Sequence, residues 1–185
     1  MATPTIEQVG KFFDELRSAR VTRENLQLFL ENPDRYNREI GRFGRIYSVT
    51  VNRDLWYKGL IKAAKFSQQN NDITAERFPI EGTGIREVAA ELYEFDEVVT
   101  GEEAAKRIEG DGYQLEDFAT LLAFAEAYPK EQLKRPVVQL KSRWRDGGGF
   151  IRMPGLYCGR RAERVLDLGW LSFGFVPGNQ FLVSR

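Results

Sequence analysis

Four short apolar runs separated by turn signals close the sequence, and they constrain the fold more than any other feature. PVVQLKSRW (136–144), GGGFIRMPGLYC (147–158), ERVLDLGWL (163–171) and NQFLVSR (179–185) each have strand length. Between them lie Asp146 with three glycines, Gly159-Arg160-Arg161 and Pro177-Gly178, residue types that bend a chain sharply. The glycines at 147–149 read as a hairpin turn, because no helix follows and no phosphate-loop spacing is present.

Upstream the pattern changes. IYSVTV (46–51) alternates as a strand does, and LWYKGLIKAAKF (55–66) places Leu55, Trp56, Leu60, Ile61 and Ala64 on one helical face, with Gly59 as its weak point. SQQNND (67–72) reads as a polar loop. GIREVAAELYEF (84–95) reads as a longer strand with Val88, Ala90 and Leu92 facing inward. Thr100 and Glu103 then form a capping box that opens a helix ended by Gly110, and GYQLEDFATLLAFAEAYP (112–129) supplies another, with Leu115, Phe118, Leu122 and Ala125 inward. A strand, two helices and then a series of strands imply an α+β domain whose helices lie on a mainly antiparallel sheet. The last strand is expected to pair with residues 84–95.

The first 45 residues read as a separate unit. Thr5 and Gln8 suit a capping box, while Ile6, Val9, Phe12, Phe13 and Leu16 form one stripe. Leu26, Phe29 and Leu30 give a second helix its inner face, so residues 5–32 form a helical hairpin. DRYNREIGRFGR (34–45) is a basic connector. The expected division is a hairpin with linker at 1–45 and the α+β domain at 46–185.

Composition narrows the chemistry. The 185-residue chain has no histidine and one cysteine, Cys158, so His-based triads, Cys-His pairs and multi-cysteine metal sites cannot be assembled within it. Lys plus Arg equals Asp plus Glu at 27 each, which gives no bulk attraction to nucleic acid or an anionic membrane. Neither a membrane-length apolar run nor a signal-peptide pattern is present, and a cytoplasmic protein is expected. The carboxylates of GEEAAKRIEGDG suit a capped, solvated helix, and Cys158 suits a strand end. No cofactor, metal ligand or catalytic residue is assigned.

The element order from Gly84 onward resembles the C-type-lectin-like fold in its bacterial form. The residues carrying this likeness are Arg164-Val165-Leu166-Asp167-Leu168, Trp170, Phe181-Leu182-Val183 and Arg185. DITAERFPIEGTG (72–84), LLAFAEAYP (121–129) and PVVQLKSRW add to it. The chain is most similar to uncharacterised bacterial proteins of this fold and to the variable proteins of diversity-generating retroelements. That resemblance implies a constant scaffold, here Trp144, Leu166, Leu168, Trp170, Phe181 and Val183. It also implies a non-enzymatic, ligand-binding face on residues 157–179: Tyr157, Cys158, Arg160, Arg161, Asp167, Gly169, Leu171, Ser172, Phe173, Phe175, Pro177 and Asn179. The implied partner is a protein.

Two departures limit what the resemblance implies. The calcium-binding Glu-Pro-Asn and Trp-Asn-Asp stretches of sugar-binding members are missing, as are the active-site cysteines of the related formylglycine-generating enzymes. Read from the residues alone, Phe173 and Phe175 either fill the core beside Trp170 or face a partner. The alternative function is a structural or regulatory module acting through the helical hairpin.

Overall fold

The computed structural model describes residues 46–185, so the hairpin and linker expected over residues 1–45 lie outside the described residues. The strand IYSVTV becomes β1 (Tyr47–Asn52), with alternate residues buried as its pattern requires. Helix α1 (Tyr57–Ala64) follows, then β2 (Gln68–Gln69) and the long β3 (Ile85–Glu94). Next come β4 (Val99–Thr100), α2 (Gly101–Gly110), β5 (Gln114–Leu115) and α3 (Phe118–Ala127). The remainder holds α4 (Glu131–Lys134), β6 (Val137–Val138), β7 (Trp144–Arg145), β8 (Ile151–Cys158), β9 (Arg164–Trp170), β10 (Gly174–Phe175) and β11 (Gln180–Ser184).

The main sheet runs β1-β3-β11-β6-β8-β9-β2, with β5 added beside β11 and β7 beside β8. Its pairings are antiparallel except β11 with β6 and β2 with β9. The domain is therefore of mixed α+β type. The closing strand pairs with β3, Leu182 opposite Leu92, as expected from the topology.

Both faces of the sheet carry core. On one, Val49, Val88, Ala90, Leu156, Leu166, Leu168 and Leu182 meet residues of α1 and α3. On the other, Tyr93, Val138, Met153, Phe181 and Val183 meet Ala104, Ala105 and Ile108 of α2. Successive side chains of a strand point oppositely, so Phe181 and Val183 serve one core while Leu182 between them serves the other. The buried apolar strand residues thereby find partner layers on both faces of the sheet.

Local signals explain the helix ends. Thr100 Oγ1 accepts from the Glu103 N–H at 3.2 Å, one half of the expected capping box, while the Glu103 carboxylate faces Arg107 at 3.5 Å. Asp117 caps α3 in the same way, its Oδ1 accepting from the Thr120 N–H at 3.0 Å. This start moves Leu115 out of the helix and into β5. Residues Phe118 to Ala125 are all buried, so α3 lacks the single apolar face expected of it. Its polar neighbours are satisfied internally: Thr120 donates to Glu116 at 2.7 Å, and Ser184 donates to the same carboxylate at 2.5 Å.

Other expectations are corrected. The polar stretch 67–72 is not wholly loop, because Gln68 and Gln69 pair with Val165 and Leu166 on the sheet edge. Leu55 and Trp56 precede α1 and are exposed, leaving Leu60 and Ala64 as its buried residues. PVVQLKSRW supplies two short strands, split at Gln139 to Arg143. The triple glycine does form the β7–β8 hairpin turn, with Gly149 at φ +84° where a side chain would be strained.

Candidate ligand-binding face

The predicted face rests on the β8–β9 ladder, in which Arg152 lies opposite Trp170, Gly155 opposite Asp167 and Cys158 opposite Arg164. Residues paired across a ladder share a face. Met153, Gly155, Tyr157, Val165, Asp167 and Gly169 therefore lie on one side, whereas Arg152, Leu156, Leu166, Leu168 and Trp170 lie on the other.

This alternation brings Tyr157, Asp167 and Gly169 together. A Cβ on Gly155 would stand 2.8 Å from the Tyr157 ring, and one on Gly169 would stand 3.0 Å from its hydroxyl. The ring thus lies flat across two glycines. Burial, reinforced by the negative charge of Asp167 and opposed by Arg152, pushes the Tyr157 phenol up to about 12. Asp167 accepts from the Asn70 side chain at 2.6 Å and from the Leu168 N–H at 2.7 Å.

Cys158, Arg160 and Arg161 are exposed at the opposite end of the strand. The connection is a short 3-10 turn, Arg160–Ala162, closed by the Gly159 N–H donating to Glu163 at 2.8 Å. Arg161 and Ala162 have φ of 62° and 59°, a left-handed pair without glycine. Such a turn stores strain of order 1–3 kcal/mol per residue. At about 3.3 Å per residue, β9 separates this turn from Trp170 by roughly 20 Å. The twelve predicted positions consequently do not form one patch.

At the far end, the closing segment divides between surface and core. The Phe173 N–H donates to the Trp170 carbonyl at 3.1 Å, making a tight turn that breaks the strand's alternation. Leu171 and Phe175 are buried beside α2 and Phe181, which removes their side chains from any presented surface. Phe173 is 63% exposed and Trp170 39% exposed. Trp170 is thus not the core scaffold residue the sequence suggests. Phe173 faces out and Phe175, at 8%, faces in. Ser172 and Pro177 are exposed, and Asn179 is partly buried after a turn in which Gly178 takes φ +97°.

The exposed rings form a unit. Trp170 and Phe173 have centroids 5.2 Å apart at an interplanar angle of 35°, and the Arg152 guanidinium lies 4.1 Å from the indole centroid. Arg152 is itself held by Asp146 at 3.4 Å, while its buried Nε has no hydrogen-bond partner among the described residues. Val98 and Val176 are also exposed, and Val98 Cγ1 lies 2.8 Å from where a Gly174 Cβ would be. Arg152, Val98 and Val176 were not among the predicted site residues. Arg152 sits opposite Trp170 only through the ladder register, which no local motif encodes.

Among the described residues, no cluster of three or more His, Cys, Asp or Glu is placed to hold a metal ion, and no helix is long and apolar enough to cross a membrane. Compared with family models, with curated proteins and with solved structures, the chain matches none.

Proposed function

We propose that the chain is a non-enzymatic binding protein of C-type-lectin-like architecture that recognises a protein ligand through the Trp170–Phe173 end of the β8–β9 hairpin. The observation carrying this reading is the exposed, tilted ring pair backed by Arg152. Trp and Arg are among the side chains that most often dominate protein interfaces, and rings already in contact lose little freedom on binding. Val98, just before β4, and Val176, just after β10, are further exposed apolar side chains. An exposed apolar cluster of this kind on a protein surface marks an interaction site.

The likeness to retroelement variable proteins belongs to the same proposal. It is supported by exposed positions at the two ends of β9, Arg160 and Arg161 at one and Ser172 and Phe173 at the other, around the buried framework of Leu166, Leu168 and Phe181. Panning a displayed protein library against the full chain tests the reading. Selected binders should lose about tenfold or more in affinity for the Trp170→Ala/Phe173→Ala variant. Binders that keep full affinity for that variant place recognition elsewhere.

A further inference from the structure

A second feature lies away from the ring pair. A cavity of about 230 Å³ is lined by four cations, Arg53, Arg77, Lys141 and Arg143, with Glu81 and Asp117 as its carboxylates. Two of these charges are mutually satisfied: Arg53 Nη2 donates to Asp117 at 2.6 Å, with both side chains largely buried. The start of α3 is also closed, by the Asp117 cap and by the Phe118 N–H donating to Ser142 Oγ at 3.0 Å. An anion would therefore be met by side chains and not by the helix end. Arg77 pairs with Asp72 and lies 4.2 Å above the Trp144 ring, which fixes its position.

Lys141 and Arg143 differ from these. Among the described residues neither has an ion-pair partner, and Arg143 engages only its Nε, which donates to the Leu140 carbonyl at 2.6 Å. Ser142 between them is clamped. The side chain of the fully buried Gln139 accepts from the Ser142 N–H at 2.7 Å and donates to the Ser142 carbonyl at 2.8 Å. A buried amide and a helix N–H thus hold a three-residue stretch that presents two unpaired cations at one cavity. Such support reduces the ordering cost of binding. Phe78 and Phe118, each about 1% exposed, close the cavity from the core side, and the exposed Glu81 also borders it.

We propose that this cavity binds a phosphate group, free or as a small monoester. Lys141 and the free Nη groups of Arg143 hold the phosphate, Arg77 borders it, and any organic part extends toward solvent. A guanidinium fork matches phosphate oxygens, and a dianion suits two cations that have no ion-pair partner among the described residues and face the single exposed carboxylate of Glu81. Neither the ring pair nor the β8–β9 turn takes part in this site.

Calorimetric titration of the full chain with glycerol phosphate tests the proposal, with glycerol, inorganic phosphate and citrate as separate arms. The expected result is saturable binding of glycerol phosphate or of inorganic phosphate, tighter than that of glycerol and citrate, and the tighter of the two phosphates identifies the form the cavity takes. Binding should weaken about tenfold or more in Lys141→Ser/Arg143→Ser, whose exposed positions leave the melting temperature unchanged. If the double variant melts earlier, each single substitution is read instead, with the same expectation of weaker binding. Three results would overturn the proposal: no saturable heat with either phosphate up to about 10 mM, glycerol or citrate binding at least as tightly, or affinity unchanged by the substitutions.

Discussion

The guanidinium of Arg164, on β9, donates to the carbonyl of Ala125 in the last turn of α3 at 2.5 Å. A second Nη donates to the carbonyl of Ala64, the last residue of α1, and Nε donates to Gln132 at 3.2 Å. One side chain thereby satisfies the carboxyl-terminal ends of two helices and ties both to the sheet, where a cation also suits the helix dipoles.

Arg164→Met should therefore destabilise the domain by about 2–3 kcal/mol, since it leaves helix carbonyls without donors. Arg164→Lys should recover only part of this, because a single ammonium cannot replace a fork. Urea unfolding of the three proteins measures the difference. Equal midpoints would show that water serves these carbonyls as well as Arg164 does.

Asp117 gives an acid-side prediction. Burial raises its carboxyl, but the Thr120 N–H and the Arg53 guanidinium outweigh this and hold it below its ordinary value. A depressed carboxylate contributes stability that is present above the unfolded pKa, about 3.9, and lost as the pH falls through the folded value. Asp117→Asn keeps a capping oxygen and removes the charge. It should cost about 1–2 kcal/mol at neutral pH, and the gap to wild type should close as the pH falls through the folded value. A gap independent of pH would contradict the role of the charge.

Gly101 controls the position of the closing segment. Its N–H donates to the Leu171 carbonyl at 2.8 Å, and an added Cβ would stand 2.7 Å from that oxygen and 2.5 Å from Leu171 Cδ1. Gly101→Ala should cost about 1–3 kcal/mol despite the better helix propensity of alanine. Because Leu171 lies between Trp170 and Phe173, the variant should also shift the emission of Trp170. Wild-type stability with unchanged emission would show that Leu171 is not held as described.

Much of the framework was legible from local chemistry. Thr100 and Glu103 encode a cap that needs only four residues, and the alternation of residues 84–95 encodes a strand whichever partner it takes. The unread parts depend on tertiary neighbours. Gln68 and Gln69 carry no strand signal and pair only because β9 offers an edge. Helix α3 is buried on every side because core surrounds it, so its sequence shows no polar stripe to set its inner face. Phe173 and Phe175 look equivalent in sequence. The turn at Trp170–Phe173 separates them, and that turn ends in no glycine or proline that would announce it.

Tyr157 provides an alkaline test of the central strand face. Its folded pKa is raised to about 12 while the unfolded phenol ionises near 10. The associated stability is fully present below about pH 10 and lost as the pH rises toward the folded value. In a difference titration at the phenolate absorption band, Tyr157→Phe should remove a group that ionises late. Loss of a group ionising near 10 would place the ring in water and not across Gly155 and Gly169.

Hydroxyl-radical footprinting of the full chain tests the central claim most directly. Trp170 and Phe173 should be labelled strongly, while Phe175 and Phe181, whose ring centroids are 5.2 Å apart in the core, stay protected. Protection of Trp170 and Phe173 to the same degree as Phe175 and Phe181 would contradict a presented ring pair and remove the basis for recognition at this end of the sheet.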